Sequence, residues 1–368
     1  MKRLKVLLAF GTRPEIIKMA PLVWEFSKDP TVDLVLLDTG QHFDWNMSGS
    51  FISQLGLRPP DFHLNVGTGG QAKQTGRIMQ RSEPVIETVK PDIVLVEGDT
   101  NSALGVALTA SKLGFMVGHV EAGCRSFDKT MPEELNRMLI ADTATIHFPP
   151  TERCRANLIR EGINPRDIFL VGHPIVDLLH RSDFKSNDSA VLRRLHLKRK
   201  SFYLLTLHRR ENVDNAEKLQ SLLLAISKVS ERFPVVFPVH PHTRQSVKRF
   251  GLTPYLKNFD CIDPVPYPDS LALIRNSRVV LTDSGGVQQE AALLGTPCIT
   301  LRETTEWMET VDAGLNFLKL SHQSLPRLMQ SVESNMQEIQ GRFRDASGIF
   351  GKRPVARKML TVLKRRLQ

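Results

Sequence analysis

The sequence predicts an α/β protein made of two doubly wound, Rossmann-like domains facing a cleft. Along the first half, short β-rich apolar runs alternate with helical stretches, the mark of a parallel sheet covered by helices. The alternation lapses into a polar, basic stretch around residues 181–201 and then resumes with the same architecture. The 368 residues also exceed what one compact core usually holds. The domains are therefore placed at 1–180 and 181–353, with a terminal helix at about 354–368 that can pack back onto the first.

Six runs of the first half read as strands: 5–10, 33–38, 93–97, 115–120, 145–148 and 168–171. Five follow in the second half, at 202–207, 235–239, 258–262, 279–282 and 298–301. In open α/β sheets ligands bind at the carboxyl ends of strands, so residues that do chemistry are sought just after these runs.

Composition narrows the function classes. With 41% apolar and 24% charged residues the chain is ordinary and globular. No apolar run approaches the roughly 20 residues of a membrane span, and the start lacks a signal-peptide core, so a cytoplasmic protein without membrane insertion is expected. Cys124, Cys154, Cys261 and Cys298 are scattered without a CxxC pair, which suits thiols rather than a disulfide frame or zinc site. Much of the net charge of +10 is terminal, in Lys352, Arg353, Arg357, Lys358, Lys364, Arg365 and Arg366, and a second cluster spans Arg193 to Lys200. Without interleaved aromatics or nucleic-acid motifs, these read as solvated basic faces; no nucleic-acid partner is expected.

The most informative segment is 278–300: a strand, a Ser284-Gly285-Gly286 turn, an amphipathic helix and a second strand. Such a turn lets the backbone approach a ligand while the next helix presents N–H groups and its dipole, an arrangement suited to phosphate. Glu290 follows on that helix, where a carboxylate can accept hydrogen bonds from a ribose diol. After the first strand, Gly11-Thr12-Arg13-Pro14-Glu15 through Lys18 combines a glycine turn, a helix-starting proline and two cations. It is neither GxxxxGK[ST] nor GxGxxG. Asp99, in Gly98-Asp99-Thr100, and Glu121, in His119-Val120-Glu121-Ala122-Gly123, each end a strand. Glu133 and Arg137 are four residues apart on one helix face, a spacing that by itself means a surface salt bridge. His208 and His240 end strands of the second half. His240 and His242 lack a matching carboxylate spacing, and no metal is expected. His42, read alone, is a loop histidine.

Taken in order, Phe10-Gly11-Thr12-Arg13-Pro14-Glu15, Gly98-Asp99-Thr100, His119 to Gly123, Pro132-Glu133-Glu134 with Asn136-Arg137, His208 to Asn212, Pro238-Val239-His240 and Thr282 to Gln288 closely resemble the non-hydrolysing UDP-N-acetylglucosamine 2-epimerases. The resemblance implies a glycosyltransferase-B fold, a UDP-sugar substrate, a homodimer, no cofactor and a place in cell-surface polysaccharide synthesis. By motif, Asp99, Glu121, Glu133 and His208 would form the catalytic group. Arg13, Lys18, His42, Arg137, His240, Ser284, Gly285, Gly286 and Glu290 would bind substrate and UDP. The family reaction expels UDP together with the C2 proton and then re-adds UDP with protonation on the opposite face, which requires several acids. Two carboxylates about 4 Å apart repel by roughly 4 kcal/mol at an effective dielectric near 20, so one acid of the group should stay protonated.

The chain also departs from the family pattern. Gln289 stands where relatives often carry a glutamate, and Ser347 to Lys352 replaces a proline-tyrosine-glycine segment. Gln41-His42 and His208-Arg209-Arg210 resemble an allosteric substrate site whose pattern Phe43-Asp44 does not continue, so weak or absent allostery is expected. Thr305-Glu306-Trp307 and Met131-Pro132-Glu133-Glu134-Leu135 resemble relatives acting on diacetamido-uronic sugars. Such an epimerase, a hydrolysing epimerase and a glycosyltransferase of the same fold are the alternative activities; a nucleotide- or RNA-binding protein is the non-enzymatic one.

Overall fold

The computed structural model describes residues 3–41, 52–181, 188–319, 324–346 and 348–367. The chain divides into two compact units, Met1–Leu178 with Phe350–Gln368, and Leu179–Ile349. Each unit is built on one six-stranded sheet, and every strand pairing is parallel.

In the first unit β1 (Leu4–Phe10), β2 (Val32–Asp38), β3 (Phe62–His63), β4 (Ile93–Glu97), β5 (Met116–Val120) and β6 (Ile146–Phe148) lie in the order β3-β2-β1-β4-β5-β6. In the second, β7 (Tyr203–Thr206), β8 (Val235–Pro238), β9 (Phe259–Ile262), β10 (Val279–Thr282), β11 (Cys298–Thr300) and β12 (Asn316–Leu318) lie in the order β12-β11-β10-β7-β8-β9. Counted from each unit's own first strand, both orders are 3-2-1-4-5-6, the doubly wound arrangement. The winding reverses between β1 and β4, and again between β7 and β10. The loops after those four strands are where such a sheet leaves a crevice for a ligand.

Helices cover both faces of the second sheet, so its strands are apolar on both sides. Tyr203, Leu205, Val279 and Leu281 face one core cluster, and Leu204 and Val280 the other. In the first unit Leu7, Ala9, Val94, Val96 and Val117 share a cluster with Ala103, Val106, Ala107 and Ala110 of the helix Asn101–Lys112. The terminal helix Val355–Leu367 buries Val355, Ala356, Met359, Leu360 and Leu363, and it contacts the helix Arg13–Ser27.

Two expectations are corrected. Residues 168–171 form no strand: Ile168 makes one isolated bridge to His147, confined between the tight turn Pro165–Asp167 and Gly172 at φ 98°. The edge strands β3 and β12, of 2 and 3 residues, were not expected, because runs that short carry no period. Cys124 and Cys154 are thiols whose Sγ atoms lie 3.2 Å apart although 30 residues separate them.

Candidate active site

In the first unit the site is organised around the turn that ends β4. Gly98 adopts φ 71°, a left-handed conformation natural to glycine. Four hydrogen bonds fix the turn. Gly98 N–H donates to the Val120 carbonyl at 3.0 Å, and the Gly98 carbonyl lies 2.8 Å from Nε2 of buried His119. Asn136 Nδ2 donates to the Asp99 carbonyl at 2.8 Å, and the Thr100 hydroxyl donates to Glu15 Oε1 at 2.6 Å. Asp99 therefore stands on a rigid turn, half-buried, with its carboxylate against Arg137 Nη2. Burial raises its pKa and Glu121 and Glu133 add to the rise, while Arg137 and Lys18 oppose it.

Arg137 also holds Glu134 Oε2 at 2.8 Å, one turn back on the helix Pro132–Thr143. Glu134, not singled out from the sequence, also accepts from the Ser126 and Phe127 N–H groups. Glu133 is half-buried at the start of the same helix, near enough to Asp99 to raise its pKa.

Glu121 follows β5 with φ 67°, a left-handed backbone costing a non-glycine residue about 1–3 kcal/mol. Its Oε2 lies 2.6 Å from Lys18 Nζ and 2.6 Å from His173 Nε2, while Lys18 also reaches Glu97 Oε1 at 3.0 Å. Burial opposes charge on Glu121, but Lys18 and His173 outweigh it and hold its pKa below the ordinary range. For Glu97 burial wins, reinforced by the neighbouring carboxyls of Glu121 and Glu15, and its pKa rises well above normal in spite of Lys18. Burial likewise works against the Lys18 ammonium, yet its carboxylate neighbours raise its pKa above the usual value. The cluster thus pushes two acids in opposite directions, Glu121 toward its ionised form and Glu97, read from sequence only as a strand residue, toward its neutral form. Glu97, Glu121 and His173 bring ligand atoms within 4.8 Å of one another, as a divalent cation would need, but the Lys18 ammonium already supplies positive charge between two of them. Arg13 is exposed at the first position of the Lys18 helix.

In the second unit the key group is Asp283, fully buried after β10. It accepts from the His208 N–H at 3.1 Å, the Arg209 N–H at 2.9 Å and Asn212 Nδ2 at 3.1 Å, and it faces His208 Nδ1 at 3.1 Å. Burial alone would raise its pKa; those donors hold it below normal, so it stays ionised. An ionised partner at Nδ1 orients the imidazole and leaves Nε2 as the acid–base atom. Sequence reading found His208 but passed over Asp283, hidden in the glycine-turn motif. The His240 ring lies 5.7 Å from that of His208, and its Nδ1 accepts the His242 N–H, capping the helix Pro241–Arg249.

Ser284 stands at the N-cap position of the helix Gly285–Leu294 without a side-chain capping hydrogen bond, and no helical carbonyl can use the first N–H groups of that helix. The two glycines serve different ends. A Cβ on Gly285 would come within 2.2 Å of Glu306 Oε1, whereas one on Gly286 would meet nothing within 4 Å. Buried Glu290 accepts from the Tyr267 hydroxyl at 2.8 Å, and burial with that carboxylate keeps the phenol protonated. His42 lies outside the described residues. Asp99, Glu121, Glu133, Arg137 and Lys18 thus belong to one unit, and His208, His240, Ser284, Gly285, Gly286 and Glu290 to the other.

The family model described as UDP-N-acetylglucosamine 2-epimerase matches residues 25–364. The chain belongs to that family. A Methanococcus maripaludis UDP-N-acetylglucosamine 2-epimerase is 42% identical over 322 residues, covering 85% of this chain and 87% of the relative. A Pseudomonas aeruginosa UDP-2,3-diacetamido-2,3-dideoxy-D-glucuronate 2-epimerase is 40% identical over 316 residues, covering 86% and 88%. The crystal structure of Methanocaldococcus jannaschii UDP-GlcNAc 2-epimerase in complex with UDP-GlcNAc and UDP superposes with a TM-score of 0.88 at 39% identity, over 98% of this chain and 100% of that one. Family membership and the paired Rossmann-like domains are as the motif order implied.

Proposed function

We propose that this chain interconverts UDP-N-acetylglucosamine and UDP-N-acetylmannosamine by inverting the sugar at C2. The observation that carries the reading is the grouping around Lys18: Glu121 at 2.6 Å and Glu97 at 3.0 Å share one ammonium beside Asp99, with burial favouring a proton on Glu97 and with Lys18 and His173 disfavouring one on Glu121. Such a group can take a proton at one moment and return one at another.

In the forward direction a carboxylate base takes the C2 proton. The C2–H electron pair forms a C1=C2 double bond, and the C1–O pair leaves with UDP. UDP oxygen then adds back to C1 while an acid protonates C2 from the opposite face, so no electrons are gained or lost and no redox cofactor is called for. Asp99, Glu121 and Glu133 are proposed as the proton-handling acids, Arg13, Lys18 and Arg137 as the positive surroundings of the diphosphate, and His42 and His240 as further substrate contacts. His208, oriented by Asp283, is proposed to serve the departing oxygen. Ser284, Gly285 and Gly286 suit the phosphates and Glu290 the ribose. The enzyme is proposed to work as a cytoplasmic homodimer that supplies sugar donors for cell-surface polysaccharide; sedimentation of the purified protein tests the dimer.

Incubation with UDP-N-acetylglucosamine in deuterated water, without any acceptor, should place deuterium at C2 and yield the manno isomer. Absence of exchange in folded protein that binds UDP would exclude this route, and release of free sugar would point to the hydrolysing alternative. A second reading, action on a UDP-diacetamido-uronic sugar, is favoured by Thr305-Glu306-Trp307. That segment lies against the nucleotide turn, with Glu306 filling the space beside Gly285 and Thr305 donating to Gln288 Oε1 at 2.6 Å. The ratio of kcat/KM for the two sugars decides between them.

A further inference from the structure

We propose that His173 is a positioning residue that fixes which oxygen of Glu121 handles the proton, and that the returning segment Phe350-Gly351 holds His173 in place. The proposal rests on the epimerase reading.

Buried His173 lies beyond β6 in a turn rather than at a strand end, and its hydrogen bonds define its tautomer. Nδ1 accepts the Ile175 N–H at 3.1 Å, so the ring proton is on Nε2 and is donated to Glu121 Oε2 at 2.6 Å. Burial disfavours the imidazolium, and Lys18 adds to that effect against the pull of Glu121. With both nitrogens engaged and the ring neutral, His173 is a fixed hydrogen-bond donor rather than a proton carrier. Lys18 donates to the same oxygen at 2.6 Å. Two donors therefore saturate Oε2, while Oε1 makes no hydrogen bond among the described residues and is the oxygen left to accept a proton. The donor from His173 suits both states of the cycle, because Oε2 remains an acceptor after Oε1 is protonated.

The ring is held from its other side by the last segment of the chain. His173 N–H donates to the Phe350 carbonyl at 2.8 Å, and the Phe350 ring meets the imidazole edge-on with centroids 6.4 Å apart. Gly172, at φ 98°, and Gly351, at φ 88°, press backbone on backbone. A Cβ on Gly172 would lie 2.7 Å from the Phe350 oxygen, and one on Gly351 would lie 2.6 Å from the Gly172 Cα. This is the stretch where the sequence departs from the family's proline-tyrosine-glycine pattern, and its function here is to seat the histidine that seats the base.

C2 deuterium exchange by the wild-type enzyme is the reference; its absence would sink the epimerase reading and leave the His173 geometry as a separate matter for the spectrum below. Given exchange, His173→Phe should lower kcat by about 10–100-fold, the rate equivalent of one charge-assisted hydrogen bond, with KM and UDP affinity within about threefold. His173→Gln, which keeps an N–H at the same reach, should recover most of the loss, and Gly351→Ala should lower kcat in the same selective way. A Phe variant that keeps its kcat, a Gln variant as impaired as the Phe variant, or a parallel loss of UDP binding would overturn the positioning role; an unchanged Gly351→Ala enzyme would overturn the part given to the tail. Should the Phe variant not fold, the ¹⁵N imidazole spectrum of wild-type protein decides, with His173 assigned by its loss in the Gln variant. The Nε2-protonated neutral tautomer at pH 7 is expected, and either the Nδ1 tautomer or an imidazolium refutes the proposal.

Discussion

A carboxyl group buried without a paired cation holds its proton tightly, and Glu15, which pairs with no cation among the described residues, is such a group. Burial pushes its pKa up to about 7 in spite of hydrogen bonds from Thr100 and the Gly11 N–H. Between pH 4.5 and 7 the folded state therefore binds a proton that the unfolded state has released, so stability falls as pH rises through this window. Over a rise from the ordinary 4.5 to about 7, the loss is about 3 kcal/mol. Glu15→Gln cannot ionise, and melting curves from pH 5 to 8 should fall less steeply for it than for wild type; parallel curves would mean Glu15 is charged throughout. Glu121→Gln removes the ionised member of the Lys18 cluster and should cut C2 exchange by about 100-fold or more while UDP affinity, measured by calorimetry, stays within about threefold. Equal losses would make Glu121 a binding residue. Asp283→Asn places an amide N–H against donors already aimed at the carboxylate, and both melting temperature and kcat should drop. Residues of this kind differ in how plainly the sequence displays them. Asp99, Glu121 and His208 were legible because each lies at or within three residues of the end of an apolar run. Glu97 was read as part of its strand, Asp283 was overshadowed by the glycines after it, and His173, two residues beyond the run 168–171 that was expected to be a strand, was not singled out.

At the scale of elements, the helix that starts at Gly285 shows why neighbouring glycines need separate arguments. Gly285 is required by the fold, because Glu306, itself held at 3.1 Å by buried Arg302, fills the place of a Cβ. Gly286 faces open space at the helix start, and a ligand is the proposed reason for its bareness. Gly285→Ala should therefore lower the melting temperature. Gly286→Ala should leave it level or raise it, since alanine is worth up to about 1 kcal/mol over glycine in a helix, while weakening UDP binding by about tenfold. A Gly286→Ala protein with unaltered UDP affinity would take the nucleotide away from this turn. The core strands could be read in the sequence because strands covered on both faces are nearly continuous in Val, Ile and Leu. β3 and β12 could not, since their places are set by the neighbours they extend, Leu37 and Asp38 for β3 and Cys298 to Thr300 for β12.

Across the whole molecule, the basic tail is built into the first unit rather than left free for a partner. Lys364 meets Asp29 at 2.6 Å, Arg357 meets Glu25 at 3.3 Å and Arg353 meets Asp177 at 3.5 Å, while Arg366 contacts Asp167. Each exposed pair is worth at most about 1 kcal/mol, so the five buried apolar residues of the tail helix do most of the holding. Among the described residues no helix is long and apolar enough to cross a membrane. The first unit consequently needs both of its chain segments, whereas the second, Leu179–Ile349, is continuous and owns a six-stranded sheet with core clusters on both faces. Residues 179–349 expressed alone should therefore fold, melt cooperatively and bind UDP within about tenfold of the whole enzyme, because the Ser284 turn, Glu290 and the His208–Asp283 pair are internal to them. The same fragment should exchange no deuterium at C2, since Glu121, Asp99 and Lys18 lie in the other unit. Calorimetry with UDP and exchange in deuterated water measure the two properties separately. A folded fragment that ignores UDP would move the nucleotide site to the first unit, and exchange by the fragment alone would remove the carboxylate cluster from the reaction.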